Sequence, residues 1–440
     1  MIVLVLASLK QEMDTGIKKV AGKYDLTGVI SVVTGANSGT GYGIVQMLAS
    51  KGAEVVMACR DLQRCRSAQV ALVQALERDY QAARDKAATA TNASTATPAI
   101  VPGKLHTLQL DLGDLASVRA FADDVAATFP RVDVLVNNAG FVGVPGDRTK
   151  QGLEGMLGVM HVGHFALTKW LMPLLLKVEE EAAAPADAAA CNATALNAYN
   201  YRGTARVINI ASQVWATGTF DGSLMRGDGG GDLRGELTDN CAHLAHLVPC
   251  CPFINCPVSN GYARAKLANV LHAQELQRRS DLNALDDVRN GRAAPRRLVT
   301  ASLHPGTVQS GLVSWFSSYW LSTFLRTPLE AAMITLKAVE NDKFVPSSYI
   351  DGMGTPHDLQ GYRESHLKVH LEAFPDVARR ALPFVKTPAL PVWGLDKKMF
   401  EVRQFVATPA GGPAVPAAAV ARRLWDVTDH VITTWEEGKR

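Results

Sequence analysis

Tyr262 and Lys266 stand four residues apart in the segment YARAK (262–266), which opens an amphipathic helical pattern. Residues at this spacing share one face of a helix. A phenol has a pKa near ~10, and a neighbouring ammonium stabilises the phenolate and lowers that pKa towards the range of a general acid or base. A tyrosine and a lysine at this spacing are more often an ordinary surface pair. The pair therefore gains meaning only from the residues around it.

Ser212 is a candidate partner for this pair because it closes the predicted strand RVINIAS (206–212). Open α/β sheets bind their ligands at the carboxyl ends of the strands. A hydroxyl at this position is therefore predicted to face the same cleft as the phenol of Tyr262.

A glycine-rich run, TGANSGTG (34–41), follows the first predicted strand and precedes a helical pattern over Tyr42–Lys51. Glycine lets the backbone approach a pyrophosphate closely, and the helix N-terminus that follows favours negative charge. The same run also fits an ordinary strand-to-helix turn. The strand–turn–helix context favours a dinucleotide-binding turn.

The second predicted strand ends in ACRD (58–61). An acid closing this strand would bond the adenosine ribose hydroxyls, whereas an arginine accommodates a 2′-phosphate. Cys59 occupies the acid position and Arg60 follows it, with Arg64 one turn later. This pattern favours NADP(H). The alternatives are Asp61 as a ribose acid with NAD, or Arg60 as a residue that only solvates the strand end.

Short β-rich apolar runs alternate with helical patterns, which predicts βαβ units feeding one parallel sheet. Helix candidates include Leu115–Phe129, with Asp114 as its cap, and Thr327–Val339, with proline in its first turn. The expected fold is α/β, a doubly wound parallel sheet of the Rossmann type in three αβα layers. The predicted strands are Val29–Thr34, Glu54–Cys59, Leu105–Leu110, Val132–Asn137, Arg206–Ile210 and Leu298–Leu303.

The organisation predicted for the 440 residues is one domain over 27–440 after an N-terminal extension over 1–26. Its extra length lies in interruptions at about 83–103, 180–204, 214–259 and 355–415. The first two are rich in Ala, Thr and Asn and read as loose surface excursions. The last contains prolines and aromatic residues and reads as an ordered cap.

The composition is that of a soluble globular protein, with 47% hydrophobic and 20% charged residues. The formal charge is only +3, so nucleic-acid binding is not expected. The apolar start MIVLVLASL (1–9) is too short to span a bilayer and lacks the features of a signal peptide. The odd number of cysteines argues against a disulfide framework and for a reducing, cytoplasmic location. They are Cys59, Cys65, Cys191, Cys241, Cys250, Cys251 and Cys256.

Several motifs occur in the order of one known family: TGxxxGxG (34–41), NNAG (137–140), the strand-end serine, YxxxK (262–266) and HPGTV (304–308). The chain resembles the short-chain dehydrogenase/reductase family. ACRD (58–61), GHFALT (163–168), YARAKLANVL (262–271) and HPG (304–306) are similar to its retinol-dehydrogenase-like branch, as is ARRLWDVTDHV (421–431). The resemblance covers residues 27–350, with gaps at the interruptions, and 416–432. It implies an NADP(H)-dependent oxidoreductase that interconverts a carbonyl and an alcohol.

The resemblance assigns roles to individual residues. Ser212 would hydrogen-bond the substrate oxygen, Tyr262 would exchange its proton as general acid or base, and Lys266 would bind the nicotinamide ribose. Ser310 stands where the family often has threonine. The cofactor-binding set would be Gly35, Asn37, Ser38, Gly39, Thr40 and Gly41 at the pyrophosphate and ribose, Arg60 at the 2′-phosphate, Asp111 and Leu112 at the adenine, Asn138, Ala139 and Gly140 at the cofactor ribose region, Tyr262 and Lys266, and Pro305, Gly306 and Val308 at the nicotinamide.

Met160 departs from the family pattern. The family usually places an asparagine three residues before the glycine of GHF, where it helps to hold a water in the proton relay behind the lysine. Methionine cannot anchor a water as an amide does. Either the relay runs through other groups with reduced turnover, or the chain binds NADP(H) and has lost most catalysis. His161 is adjacent but is expected to point elsewhere on its helix.

The expected substrate is a small lipophilic carbonyl or alcohol, such as a retinoid, steroid, fatty aldehyde or quinone. The aromatic segment over 313–325 lies where the family has its substrate lid, although packing against the cap or a subunit partner explains it equally well, and shallow membrane contact is a third explanation. Family members are often dimers or tetramers, so a homodimer is a further expectation. Cysteines and histidines over 241–256 lack a paired zinc spacing, so no metal is expected.

Overall fold

An eight-stranded sheet organises the computed structural model, and its first strand begins shortly after the start of the described chain. The structure describes residues 25–89, 100–143, 146–177, 204–212, 215, 218, 220–221, 257–292, 296–306, 308, 326–340, 348–350, 356–357, 406–407 and 416–438.

The strands of the main sheet lie in the order β3-β2-β1-β4-β5-β7-β8-β9. All neighbours are parallel except β8 and β9, which are antiparallel. A separate parallel pair joins β6 to β10. The strands are β1 (Ile30–Thr34), β2 (Glu54–Cys59), β3 (Leu105–Gln109), β4 (Val134–Asn137), β5 (Thr204–Ile210), β6 (Phe220–Asp221), β7 (Arg297–Leu303), β8 (Tyr349–Ile350), β9 (Pro356–His357) and β10 (Val406–Ala407).

The helices follow the strands in the alternation that the sequence predicts. They are α1 (Gly39–Ser50), α2 (Leu62–Ala88), α3 (Leu115–Thr128), α4 (Gly155–Leu157), which continues through a π-helical turn (Gly158–Gly163) into α5 (His164–Leu175), α6 (Pro257–Arg289), α7 (Pro328–Glu340) and α8 (Ala417–Glu437). The doubly wound sheet is thereby confirmed, with the six predicted strands found to within one or two residues.

Two apolar cores lie on opposite faces of this sheet. Neighbouring strand residues alternate between them, as Val32 and Val33 do, because successive side chains of a strand point to opposite faces. Helices α1, α2 and α7 cover one face through residues such as Leu48, while α3, α5, α6 and α8 cover the other through residues such as Phe165. The chain therefore forms the three layers of a Rossmann fold.

Two predicted boundaries differ from the structure. Helix α2 continues through Ala88, so the interruption placed at 83–103 begins as helix rather than as a loose excursion. Helix α6 begins at Pro257, so Tyr262 does not open it but lies more than one turn inside. Most of the segments 180–204, 214–259 and 355–415 lie outside the described residues. The single domain over 27–440 stays a prediction.

Cys59 and Cys65 form a disulfide, a single link that the odd cysteine count does not predict. Cys59 ends β2 and Cys65 lies in the first turns of α2, so the tight strand-to-helix turn holds their Cα atoms 6.0 Å apart. That separation lies within the range that a disulfide spans. The other five cysteines lie outside the described residues.

Asp133 lies at the amino ends of the sheet's strands, opposite their carboxyl ends, and several neighbouring groups bind its side chain. Its buried carboxylate pairs with Arg296 and accepts a hydrogen bond of 2.9 Å from Nε of Arg131. Its second oxygen accepts the backbone N–H of Ile30 at 2.7 Å. The charge is thus compensated by cations and by a backbone donor, as a buried carboxylate requires.

Among the described helices, none is both long and apolar enough to cross a bilayer. Within the same residues, no group of three or more His, Cys, Asp or Glu side chains is arranged to hold a metal ion. The cysteines and histidines over 241–256 lie outside the described residues.

Candidate active site

Ser212 and Tyr262 meet at the carboxyl end of β5, where Ser212 follows the strand by two residues. The Ser212 hydroxyl hydrogen-bonds to the phenol oxygen of Tyr262. Fifty residues of sequence separate the two, and the sheet edge brings them together. Lys266, one turn further along α6, lies with its Nζ 5.5 Å from the centroid of the Tyr262 ring. The structure therefore brings together the three residues that the sequence predicts for the site.

Burial raises the pKa of Tyr262 to about 12, and the hydrogen bond from Ser212 opposes this rise only in part. The sequence predicts the reverse, a phenol whose pKa is lowered by the ammonium of Lys266. Desolvation of the phenolate outweighs that attraction here. The phenol of Tyr262 is accordingly protonated at neutral pH and is chemically able to donate a proton.

Lys266 is 3% exposed and donates a hydrogen bond of 2.9 Å from Nζ to the carbonyl oxygen of Ile210, the last residue of β5. Burial lowers the pKa of Lys266 to about 8, because an apolar environment disfavours its charged form. The ammonium is thus hydrogen-bonded to the end of the strand that precedes Ser212. With a pKa of about 8, it loses its charge within the pH range in which enzymes commonly work.

The glycine turn folds tightly onto the loop that follows β4. Gly35 has a φ of +65°, which glycine adopts without strain. A Cβ on Gly41 would collide with the carbonyl oxygen of Gly35 and lie 2.6 Å from Nδ2 of Asn138. That Nδ2 donates a hydrogen bond of 2.8 Å to the carbonyl oxygen of Thr34. The predicted binding residues Asn37, Ser38, Gly39 and Thr40 form the rest of this turn and the start of α1.

Thr34 and His164 form a buried connection that no motif in the sequence predicts. Oγ1 of Thr34 accepts the backbone N–H groups of Asn138 and Ala139, both at 2.9 Å. His164 donates from Nδ1 to the carbonyl oxygen of Met160 at 2.9 Å, so its Nε2 accepts the Thr34 hydroxyl at 2.8 Å. Burial lowers the pKa of His164 to about 4, so the ring is neutral and this tautomer holds. The connection locks the glycine turn to the loop over 138–140.

Met160 lies within the π-helical turn and is fully buried. Its Sδ and Nζ of Lys266 lie against the same side of Gly140, because a Cβ there would meet the two atoms at 3.1 and 3.4 Å. The residue that replaces the family's asparagine is therefore beside the catalytic candidates. His161 points elsewhere, as predicted, with Nε2 3.0 Å from Oγ1 of Thr428 in α8.

The end of β2 carries an exposed cation, and the acid that follows it is already engaged. Arg60 is exposed at the end of β2. Asp61 caps α2 by accepting the backbone N–H of Arg64 at 3.0 Å and also pairs with the Arg64 guanidinium at 3.4 Å. Cys59, in the position of the family's acid, is in the disulfide. The local structure therefore gives Asp61 a capping role and leaves Arg60 facing solvent.

The other described residues of the predicted site also follow the carboxyl ends of strands. Asp111 and Leu112 follow β3, where the Asp111 side chain accepts the backbone N–H of Gly113 at 2.9 Å. Pro305, Gly306 and Val308 follow β7. Ser310 and the aromatic segment over 313–325 lie outside the described residues.

Known proteins share both the sequence and the fold of this chain. The family model described as short chain dehydrogenase matches residues 77–183. Retinol dehydrogenase 11 of Homo sapiens is 30% identical over 316 residues, which cover 71% of this chain and 72% of that protein. Retinol dehydrogenase 14 of Mus musculus is 29% identical over 321 residues, which cover 69% of this chain and 71% of that protein.

A crystal structure of an uncharacterized protein from Mycobacterium paratuberculosis aligns with a TM-score of 0.50 and 23% identity, over 94% of this chain and 97% of that chain. This likeness extends to the fold. With the relatives above and the sheet topology, it leads to one assignment: the chain is an oxidoreductase that belongs to the short-chain dehydrogenase/reductase family, in its retinol-dehydrogenase-like branch.

Proposed function

We propose that the protein is an NADP(H)-dependent oxidoreductase that interconverts a carbonyl and an alcohol on a lipophilic substrate, with Tyr262 as general acid and base. The observation that carries the proposal is the hydrogen bond between Ser212 and the Tyr262 phenol, with Lys266 fixed beside it. A hydroxyl pair and an ammonium at the carboxyl end of a central strand have the geometry that proton exchange with a substrate oxygen needs.

The N-terminus of α1 fits the pyrophosphate of a dinucleotide. Its cap residue Ser38 makes no side-chain hydrogen bond to the helix, and the first turn contains no acidic residue. The backbone N–H groups of this turn are therefore suited to an anionic ligand. The bound cofactor supplies the hydride.

Arg60 supports NADP(H) rather than NAD. A guanidinium recognises a phosphate through charge-assisted hydrogen bonds, and Arg60 stands exposed where the 2′-phosphate would lie. The competing reading requires the carboxylate of Asp61 to accept ribose hydroxyls, but that carboxylate caps α2. We therefore assign phosphate recognition to Arg60.

In the direction of reduction, Tyr262 donates its proton to the substrate oxygen while Ser212 hydrogen-bonds that same oxygen and holds it in place. The raised pKa of Tyr262 suits donation, because the phenol remains protonated at neutral pH. Lys266 stabilises the phenolate that remains after transfer. In the reverse direction the same phenolate accepts the proton of the alcohol.

The names of the relatives support a lipophilic substrate, since both are retinol dehydrogenases. The sequence over 313–325 is rich in aromatic residues and follows the segment over 305–308, which by resemblance frames the nicotinamide. Aromatic side chains line apolar binding sites well. We propose a retinoid, steroid or fatty aldehyde as the substrate class.

The test measures NADPH oxidation by the purified protein with a panel of retinal, steroid ketones and long-chain aldehydes. We expect turnover on at least one member, and a loss on the order of 10²- to 10⁴-fold in Y262F. NADPH binding should weaken far less than turnover in Y262F, because the phenol oxygen contributes mainly to the proton transfer. Equal turnover in the wild type and in Y262F would refute Tyr262 as the acid.

A second candidate function, an NADP(H)-binding regulatory protein with little catalysis, is favoured by Met160. Its thioether stands beside Lys266, where the family has an amide. The same experiment separates the two functions. Tight NADPH binding without turnover on any substrate would support the regulatory function, and binding of neither NADPH nor NADH would eliminate both.

A further inference from the structure

Arg326 is a buried cation beside the segment that follows β7. It is 3% exposed, and its Nη1 donates a hydrogen bond of 3.1 Å to the carbonyl oxygen of Pro305. Its backbone forms a parallel bridge with Val308. Arg326 thus contacts the segment over 305–308 at both ends, through its side chain and through its main chain.

The guanidinium of Arg326 also covers Gly306. This glycine has a φ of +85°, which disfavours any side chain. A Cβ at Gly306 would lie 2.6 Å from Nη1 of Arg326, 2.9 Å from its Cδ and 3.0 Å from its Cζ. The arginine therefore fills the space that a side chain at this turn would occupy, and it packs against the turn on that side.

The next residues anchor Arg326 to helix α7. The backbone N–H of Thr327 donates to Oε2 of Glu330 at 2.7 Å, and the backbone N–H of Glu330 donates to Oγ1 of Thr327 at 3.2 Å. These reciprocal bonds form a capping box that fixes the first turn of the helix. The position of Arg326 is therefore set by a well-defined helix start.

The start of α7 packs directly on α1, the helix that the glycine turn opens. A Cβ at Gly43 would collide with the carbonyl group of Pro328 and lie 2.9 Å from the backbone nitrogen of Leu329. Only glycine permits this approach. A continuous chain of contacts thus runs from α1 through Pro328 to Arg326 and on to Pro305 and Gly306.

We propose that Arg326 is a positioning residue that holds Pro305, Gly306 and Val308 at a fixed distance from the glycine turn, and so sets where the nicotinamide half of the cofactor binds. The inference rests on the proposed function, because it takes the dinucleotide as the ligand. The planar guanidinium spans the Pro305 carbonyl oxygen and the surface of Gly306 together, whereas a lysine offers a single point donor.

The experiment compares two ligands by fluorescence or calorimetric titration: NADPH, and 2′,5′-ADP, which contains the phosphorylated adenosine half alone. R326M should weaken NADPH binding about tenfold and R326K about threefold, since the buried hydrogen bond to Pro305 is lost in the first variant and can be kept in the second. Binding of 2′,5′-ADP should change less than about twofold in both variants, because the proposed function places that half at the glycine turn and Arg60, away from Arg326. R289M, at an exposed arginine of α6, is the matched control and should bind both ligands as the wild type does.

The outcomes are distinct. Preferential loss of NADPH binding, partly rescued by lysine, supports the positioning role. Equal weakening of both ligands, or no change in either, overturns it. If R326M does not fold, R326K alone decides, by the same comparison of NADPH affinity with 2′,5′-ADP affinity. If the wild type binds NADH and not NADPH, the comparison uses NADH against ADP. Binding of neither dinucleotide by the wild type refutes the proposed function instead.

Discussion

The thioether of Met160 and the ammonium of Lys266 are neighbours on one side of Gly140. An apolar sulfur therefore stands where the family has an amide, next to a lysine that is 3% exposed. A thioether is a weak acceptor and donates nothing, so it offers little to a proton that leaves the lysine. This pair sets the first prediction.

Replacing Met160 with asparagine should increase kcat for carbonyl reduction by about tenfold or more, because an amide restores a site for a relay water. The affinity for NADPH should stay within about twofold. The thermal midpoint should fall, since a partly satisfied buried amide costs about 1–3 kcal/mol. Steady-state kinetics and thermal unfolding measure these effects.

M160L is the matched control, as leucine conserves the volume and the apolar character. It should leave kcat unchanged. If M160N and M160L have the same kcat, Met160 does not limit the proton relay.

The hydrogen bond between Ser212 and Tyr262 predicts strong coupling of their substitutions. S212A should lower kcat at least tenfold, and S212A/Y262F should be little worse than Y262F, because the two hydroxyls act on one oxygen as a unit. A double-mutant cycle on kcat/KM measures the coupling. Additive losses would show that the two residues act independently.

The pKa of Lys266, lowered by burial to about 8, predicts the pH dependence of reduction. The ammonium form disappears as pH rises through about 8, and with it the charge that stabilises the phenolate of Tyr262. The rate of carbonyl reduction should therefore be constant below that pH and fall above it. A kcat profile between about pH 6 and pH 10 measures this.

K266M supplies the control for this profile. It should be slow throughout and lack the decline near pH 8, since no ammonium is present to titrate. An unchanged decline in K266M would assign the titration to another group.

Arg60 should determine the preference for NADP(H) over NAD(H). R60A should raise the Kd for NADPH roughly ten- to hundredfold through loss of charge-assisted hydrogen bonds, and leave the Kd for NADH nearly unchanged. R64A is the comparison, because Arg64 is already paired with Asp61 and should have a smaller effect. If R60A weakens the binding of NADPH and of NADH equally, Arg60 contacts a part of the cofactor that both share.

Asp133 should matter for stability rather than for catalysis. D133N leaves the buried guanidinium of Arg296 without its carboxylate and should lower the free energy of unfolding by about 3–5 kcal/mol. D123N, which breaks an exposed pair with Arg119, should change it by less than about 1 kcal/mol. Denaturant unfolding compares the two, and similar losses would show that burial of the Asp133 pair contributes little.

The strands were predictable because most are short runs of buried, largely apolar residues bounded by turn residues, as in β1 and β4. The convergence of Ser212, Tyr262 and Lys266 followed from family motifs in a fixed order. Neither required knowledge of packing. Local pattern and motif order together were therefore sufficient for the fold and for the core of the site.

Features that arise from packing were not predictable. The pKa of Tyr262 rises because the folded chain buries the phenol, and this burial depends on contacts that sequence spacing does not contain. The bond between Thr34 and His164 joins residues 130 positions apart. The π-helical turn at Met160 adds one residue to a helix whose apolar periodicity looks ordinary. Arg326 directly precedes the capped start of α7, which the sequence indicates. Its partners Pro305 and Val308 follow β7, and nothing in the sequence links them to Arg326.

Helix α8 has a consequence for how the protein is made. Val420, Leu424 and Val427 complete the core over α5 and α6, and Thr428 meets His161 across 267 positions of sequence. A nascent chain on the ribosome cannot cover that apolar face until α8 has been translated and has left the exit tunnel. Synthesis at about 5–20 residues per second leaves the face exposed for many seconds, so chaperones that bind apolar surface can act before α8 is in place.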